Sequence, residues 1–142
     1  APPPPPGASE VPPSYVGPRA PLLRGRAVSV ADGDTFRFYH VPSFFHSTRP
    51  PSGAKLSECT IAVRVATIDA PEMAKFGRPG QPYGEEARTL LERLVGGRWV
   101  RLRLLARDQY GRAVAEVWYG WPWWRAVDQR MLSAGLAEVY RG

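Results

Sequence analysis

The chain has 142 residues and a mass of 15.7 kDa, enough to bury one core and build one domain. Its composition, 44% hydrophobic and 23% charged, is ordinary for a globular protein. No run approaches the roughly 18 apolar residues that a membrane-spanning helix needs, which excludes such a helix from this chain. Nineteen Lys and Arg against thirteen Asp and Glu leave a net charge of +6, which favours a polyanionic partner without identifying it. The single cysteine, Cys59, excludes an intrachain disulfide.

More than half of the sixteen prolines fall in the first 21 residues, including Pro2 to Pro6. Proline lacks the backbone donor that helices and sheets require, so residues 1–22 read as an extended arm or linker ahead of a domain over 23–142. The start at Ala1 without methionine suggests a processed or trimmed chain. From Leu23 the pattern changes. Ala27, Val28 and Val30 lead into Asp32-Gly33-Asp34, and Thr35, Phe36, Phe38 and Tyr39 follow, which predicts a β-hairpin. Pro42, Pro50, Pro51, Ser52 and Gly53 make the stretch from His40 to Glu58 a long loop, read as an insertion. His40 and His46 lack metal-type spacing and read as solvent-exposed loop residues. Alternation of Ile61, Val63 and Val65 with Ala62 and Arg64 predicts a third strand, with Arg64 on the face opposite the large apolar residues.

Ala87, Leu90, Leu91, Leu94 and Val95 recur at the spacing of one helix face, preceded by Glu85 and Glu86 and closed by Gly96-Gly97. Val100, Leu102 and Leu104, then Ala113 to Tyr119, give a fourth and a fifth strand on either side of a turn at Asp108 to Gly111. A second helix is expected over about 126–134, ended by Gly135. The chain is therefore α+β and mainly β, with no internal repeat.

Three short segments carry the residues suited to chemistry: Asp32-Gly33-Asp34-Thr35; Arg64 with Asp69-Ala70-Pro71-Glu72; and Asp108-Gln109-Tyr110-Gly111-Arg112. Each is commonplace alone, since Asp-Gly favours hairpin turns and Asp-x-Pro-Glu favours turns and helix starts. In order, and joined by Tyr83-Gly84-Glu85-Glu86-Ala87 and Gly135-Leu136-Ala137, they resemble the staphylococcal nuclease (thermonuclease) family from about Val28 to Tyr140. The phrases Phe36-Arg37-Phe38-Tyr39-His40 and Phe76-Gly77-Arg78-Pro79 resemble its fungal-type, mitochondrial, membrane-anchored endonuclease-like branch. Mitochondrial placement follows from that narrower likeness alone.

The resemblance implies a five-stranded OB-fold barrel with two or three helices packed on it. It also implies a calcium-dependent nuclease of low sequence specificity acting on DNA or RNA, single strands favoured, with Ca2+ held by Asp34, Asp69 and the carbonyl of Ala70. Asp32 would lie just outside those ligands and orient them. Arg64 and Arg112 would grip the phosphate and stabilise transition-state charge, and Glu72 would orient or deprotonate the attacking water. Tyr110 and Tyr140 would contact the nucleotide, or else serve packing.

The chain departs from the simplest members of that family in its proline-rich arm, its 40–58 loop, and Trp118, Trp121, Trp123 and Trp124. The tryptophans and the arm could form a protein-partner or membrane-interface surface, or the tryptophans could pack inward. Two rival readings stand beside the nuclease. One is a non-catalytic or accessory OB-fold subunit that binds nucleic acid or protein in a larger assembly. The other is a metal-dependent esterase of small phosphodiesters, which would need a closed pocket.

Overall fold

The computed structural model describes residues 3–141; Ala1 and Pro2 of the arm, and Gly142, lie outside the described residues. The predicted hairpin forms as β1 (Leu23–Asp32) and β2 (Thr35–His40), and β3 is Ile61–Val65. The fourth and fifth expected strands are β5 (Trp99–Arg107) and β6 (Ala113–Tyr119). These five hydrogen-bond in the order β3-β2-β1-β5-β6, and a parallel pairing of β3 with β6 closes the barrel. The closure follows from alternation: the inward positions Ile61, Val63, Val65, Val100, Leu102, Leu104, Ala113, Ala115 and Val117 are all buried in one cluster.

Short strands finish the structure. β4 (Ile68–Asp69) pairs with β8 (Glu138–Val139) in a separate ribbon, and β7 (Arg125–Ala126) extends the main sheet. The main helix, α2 (Gly84–Val95), buries Ala87, Leu91, Leu94 and Val95, the face expected from their spacing. α3 (Val127–Ser133) buries Val127 and Met131. The last part of the expected loop, Leu56–Cys59, coils into the single turn α1. Among the described residues no helix is long and apolar enough to cross a membrane.

The proline-rich segment lies along the barrel. Gly7 N–H donates to the His40 carbonyl at 3.0 Å, Gly17 N–H donates to the Leu104 carbonyl at 2.8 Å, and Val11, Tyr15 and Val16 pack against the core. A proline-rich strap has few backbone donors, so its N–H bonds to the barrel fall at isolated positions, here two glycines. Gly7 adopts φ +66°, and an added Cβ would sit 2.9 Å from the Tyr39 ring.

The strap corrects the expectation for His40. This residue ends β2 rather than opening an exposed loop, is 2% exposed, and directs Nδ1 to the Pro5 carbonyl at 3.2 Å. Sequence periodicity could not show this, because the cover comes from a segment 35 residues away. Burial lowers the His40 pKa below its ordinary value, against the raising effect of the Pro5 carbonyl and with a small lowering contribution from His46. The native state therefore binds that proton less readily than the unfolded chain. Stability contributed by neutral His40 is full above the ordinary histidine pKa and is lost as pH falls from there toward the native value. Thermal denaturation from pH 8 to pH 5 should show the wild-type melting temperature dropping below about pH 6.5, with that component absent in His40→Gln.

Candidate active site

The site begins at the β1–β2 turn. Asp32 pairs with Thr35 across the hairpin, leaving Gly33-Asp34 as the connection. Gly33 is required by close approach: an added Cβ would lie 2.6 Å from the Ala87 Cβ on α2 and 2.9 Å from the Ala70 Cβ. The turn is thus wedged between the helix and the segment after β4. Asp34 is buried there, and a buried carboxylate is tolerated only when its oxygens are satisfied. Its Oδ2 accepts the Ala70 N–H at 2.9 Å, its Oδ1 accepts the Thr35 hydroxyl at 3.1 Å, and its carbonyl accepts the Val65 N–H at 2.8 Å.

Arg64 sits on β3 beside Thr35 and, across the closure, beside Val114. Its Nη2 lies 3.6 Å from Asp34 Oδ2 and 3.5 Å from Asp69 Oδ1, so the two carboxylates share one cation. Tyr140 covers it, with the guanidinium 4.6 Å from the ring centroid. The β4–β8 ribbon brings Tyr140 there, helped by its N–H donating to the Thr67 carbonyl at 2.7 Å. Thr67 carries φ +72°, a left-handed conformation unusual for a β-branched residue, and its hydroxyl donates to Asp128 on α3 at 2.8 Å.

The third segment holds itself. Asp108 Oδ1 accepts the N–H groups of Tyr110 and Arg112, both at 2.9 Å, and Oδ2 accepts Arg112 Nε at 2.7 Å. Partial burial pushes the Asp108 carboxyl up, but these bonds and the Arg112 charge outweigh it and hold the pKa below the ordinary carboxylate value. Arg112 lies 5.4 Å from the centroid of the exposed Tyr110 ring.

Arg64, Tyr110, Arg112 and Tyr140 line one cleft of about 370 Å³. Glu72, Lys75, Phe76, Tyr110 and Arg112 line an adjoining groove of about 680 Å³ that also includes Thr35 and Arg37. Shared walls at Tyr110 and Arg112 make one open mouth. Asp34, Asp69, Arg64 and Tyr140 meet directly, whereas Glu72 shares a wall with Arg112 and makes no bond to the Arg64 cluster. Its backbone is fixed by Gln81, whose side-chain oxygen accepts the Glu72 N–H and whose own N–H donates to the Glu72 carbonyl, both at 2.9 Å. Asp32 braces the following loop: Oδ1 accepts the Met73 N–H at 2.9 Å and Oδ2 meets Lys75 Nζ at 2.6 Å. Through the Thr35 hydroxyl, 3.4 Å away, it also borders Asp34.

Sequence reasoning gave no role to Asp108, Gln81, Thr67 or Lys75. Asp108 had a signal, an Asp two residues before an exposed Tyr-Gly turn; the others act through contacts with residues distant in sequence, Lys75 on Asp32, Thr67 on Asp128 and Gln81 on Glu72, which leave no pattern. The two carboxylates, Asp34 and Asp69, converge on Arg64 Nη2, and oxygen donors of this kind suit a hard divalent cation. No group of three His, Cys, Asp or Glu side chains that could hold a metal occurs among the described residues, so carbonyl oxygens and water would complete any such coordination.

The family model described as staphylococcal nuclease homologue matches residues 62–142. The chain is 48% identical over 120 residues to endonuclease Htp3 of Saprolegnia parasitica, covering 84% of this chain and 56% of that protein. It is 41% identical over 143 aligned residues to the probable endonuclease LCL3 of Arthroderma otae, covering 95% of this chain and 50% of that protein. The corresponding protein of Komagataella phaffii is 39% identical over 127 residues, with 83% and 56% covered. The chain thus spans about half the length of the curated relatives it matches.

The wedge at Gly33 yields a stability prediction. Gly33→Ala should destabilise the fold by about 1–3 kcal/mol through overpacking against Ala87 and Ala70, measured as a shift in the urea midpoint at unchanged slope.

Proposed function

The chain belongs to the staphylococcal nuclease family, and from that premise and the geometry of the mouth we propose that it is a calcium-dependent nuclease that hydrolyses phosphodiester bonds of DNA or RNA. The observation that carries this reading is Arg64 Nη2 poised between Asp34 and Asp69, at 3.6 and 3.5 Å, in a cleft that Arg112 completes. An anionic phosphodiester repels nucleophiles, so the site must neutralise charge and deliver an activated water. Asp34, Asp69 and the Ala70 carbonyl would hold Ca2+, which when bound supplies Lewis-acid polarisation of a phosphate oxygen.

The protein's own groups divide the remaining work. Arg64 is turned toward the mouth by its two carboxylate neighbours and the Tyr140 ring, and it presents its fork to a phosphate oxygen. Arg112 commits Nε to Asp108. Its Nη groups remain to bind the phosphate and to stabilise the extra charge of the five-coordinate transition state. Glu72, on the neighbouring wall, takes a proton from the attacking water. The water oxygen bonds to phosphorus, the bond to the leaving 5′ oxygen breaks, and that oxygen takes a proton from solvent at the open mouth, leaving a 3′-phosphate end. Tyr110 and Tyr140, both exposed at the rim, flank the bound nucleotide. An open mouth whose grip falls on the phosphate, through Arg64 and Arg112, fits low sequence specificity. It also disfavours a small-diester esterase, which would enclose its substrate. A purely binding module would leave the Arg64 cluster and Glu72 without work.

Cleavage of single-stranded DNA and RNA in calcium and in EDTA tests the reading. Wild type should cut only with calcium, and the Arg64→Ala/Glu72→Ala double variant should be inactive, with a lowered melting temperature because buried Asp34 loses its Arg64 partner, whereas Glu72→Ala alone should lose activity and melt normally. Arg64→Lys keeps the charge but loses the fork, and its turnover should fall by about 10²–10³-fold. Calcium-independent cutting, or full activity in the double variant, would overturn the assignment.

A further inference from the structure

Away from the mouth, the outward face of β1 and β5 carries arginines and aromatic rings in register. Arg24 stands directly opposite Arg101. Like charges so placed destabilise a sheet, so their retention calls for an explanation. Each guanidinium is laid on aromatic rings. Arg24 is 4.7 Å from the Phe44 centroid and 5.5 Å from that of Trp99, while Arg101 is 4.8 Å from Trp124 and 5.1 Å from Trp118. The Nε atoms of both arginines are covered and have no hydrogen-bond partner, and neither side chain pairs with a carboxylate among the described residues. Burial, and secondarily Arg103, lowers the Arg101 pKa, as expected for a cation lacking its counter-charge.

The two arginines floor a cleft of about 480 Å³ between the proline strap and the tryptophan loop. Tyr15 forms part of one wall, and Trp121, which is 60% exposed, and Trp124 form part of another. Cations on the floor and flat rings on the walls match a ligand that joins an anion to a planar aromatic group. We propose that this cleft receives one nucleotide unit of a single nucleic-acid strand, its phosphate on Arg24 and Arg101 and its base against Trp121. Arg24 and Asp32 stand toward opposite ends of β1, whose ten residues span roughly 30 Å. The cleft is therefore a second hold on the strand, remote from the point of cutting. The identity of the polymer rests on the proposed nuclease function; the cleft's own binding does not.

The test uses fluorescence anisotropy of a labelled 30-nucleotide oligothymidylate in EDTA, with the wild-type chain, Arg24→Gln/Arg101→Gln and Trp121→Ala. The double variant should bind at least about tenfold more weakly, and its plot of log affinity against log salt should flatten by about 0.7, the share of one phosphate contact on a single strand. Trp121→Ala, which alters an exposed ring and spares the core, should weaken binding about fivefold or more. Calcium-dependent cleavage of a tetranucleotide, too short to reach both sites, should be unchanged in every variant. Unaltered 30-mer affinity and salt slope would overturn the proposal. So would loss in these variants of binding to phosphatidylserine vesicles with oligonucleotide binding intact, which would make the cleft a membrane contact. Failure of the wild type to cut the tetranucleotide would count against the nuclease alone, since the anisotropy result decides the cleft.

Discussion

The burial of one carboxylate, Asp34, organises the mouth of the barrel. A charge withdrawn from water must be matched by donors, and no single element offers enough of them. Asp34 therefore draws on three: the Thr35 hydroxyl from its own hairpin, the Ala70 N–H from the segment after β4, and Arg64 from β3. Its carbonyl is taken by Val65. Satisfying Asp34 thus sets Asp69, the residue before Ala70, beside Arg64 and leads the chain on to Glu72 on the adjoining wall, so a structural requirement produces the constellation assigned to the chemistry. Gly33 permits it, because only a residue without Cβ lets the turn press against Ala87 and Ala70.

The second half of the mouth is assembled locally. Asp108 accepts three hydrogen bonds within its own turn and aims Arg112 without help from the barrel core. Its depressed pKa means that the turn is braced above the ordinary carboxylate pKa and loosens only as acid reaches the lower native value. The two arginines consequently differ in character. Arg64 is set by long-range folding and Arg112 by a five-residue motif, and they meet because β6, which follows Arg112, closes against β3.

Much of this was legible in the residues. Alternation marked Ile61–Val65 and Ala113–Tyr119 as strands, and helical spacing marked the buried face of α2. The short motifs marked the carboxylates and arginines that converge. What escaped was non-local or patternless. β4 and β8 are two residues each, too short to show a period, yet their pairing carries Tyr140 to Arg64. His40 is buried by a strap whose path no periodicity encodes. The tryptophans divided in a way composition could not show: Trp118 and Trp124 stack on Arg101, while Trp121 and Trp123 remain exposed.

The proposed nuclease depends on Asp34 and Asp69 as the seat of the cation. Calorimetric titration of calcium into the wild type, Asp69→Asn and Asp108→Asn tests it most directly, because Asp69 is exposed and its amide leaves the core untouched. Saturable binding to the wild type should be lost in Asp69→Asn and kept in Asp108→Asn. Calcium binding undiminished by Asp69→Asn would contradict it.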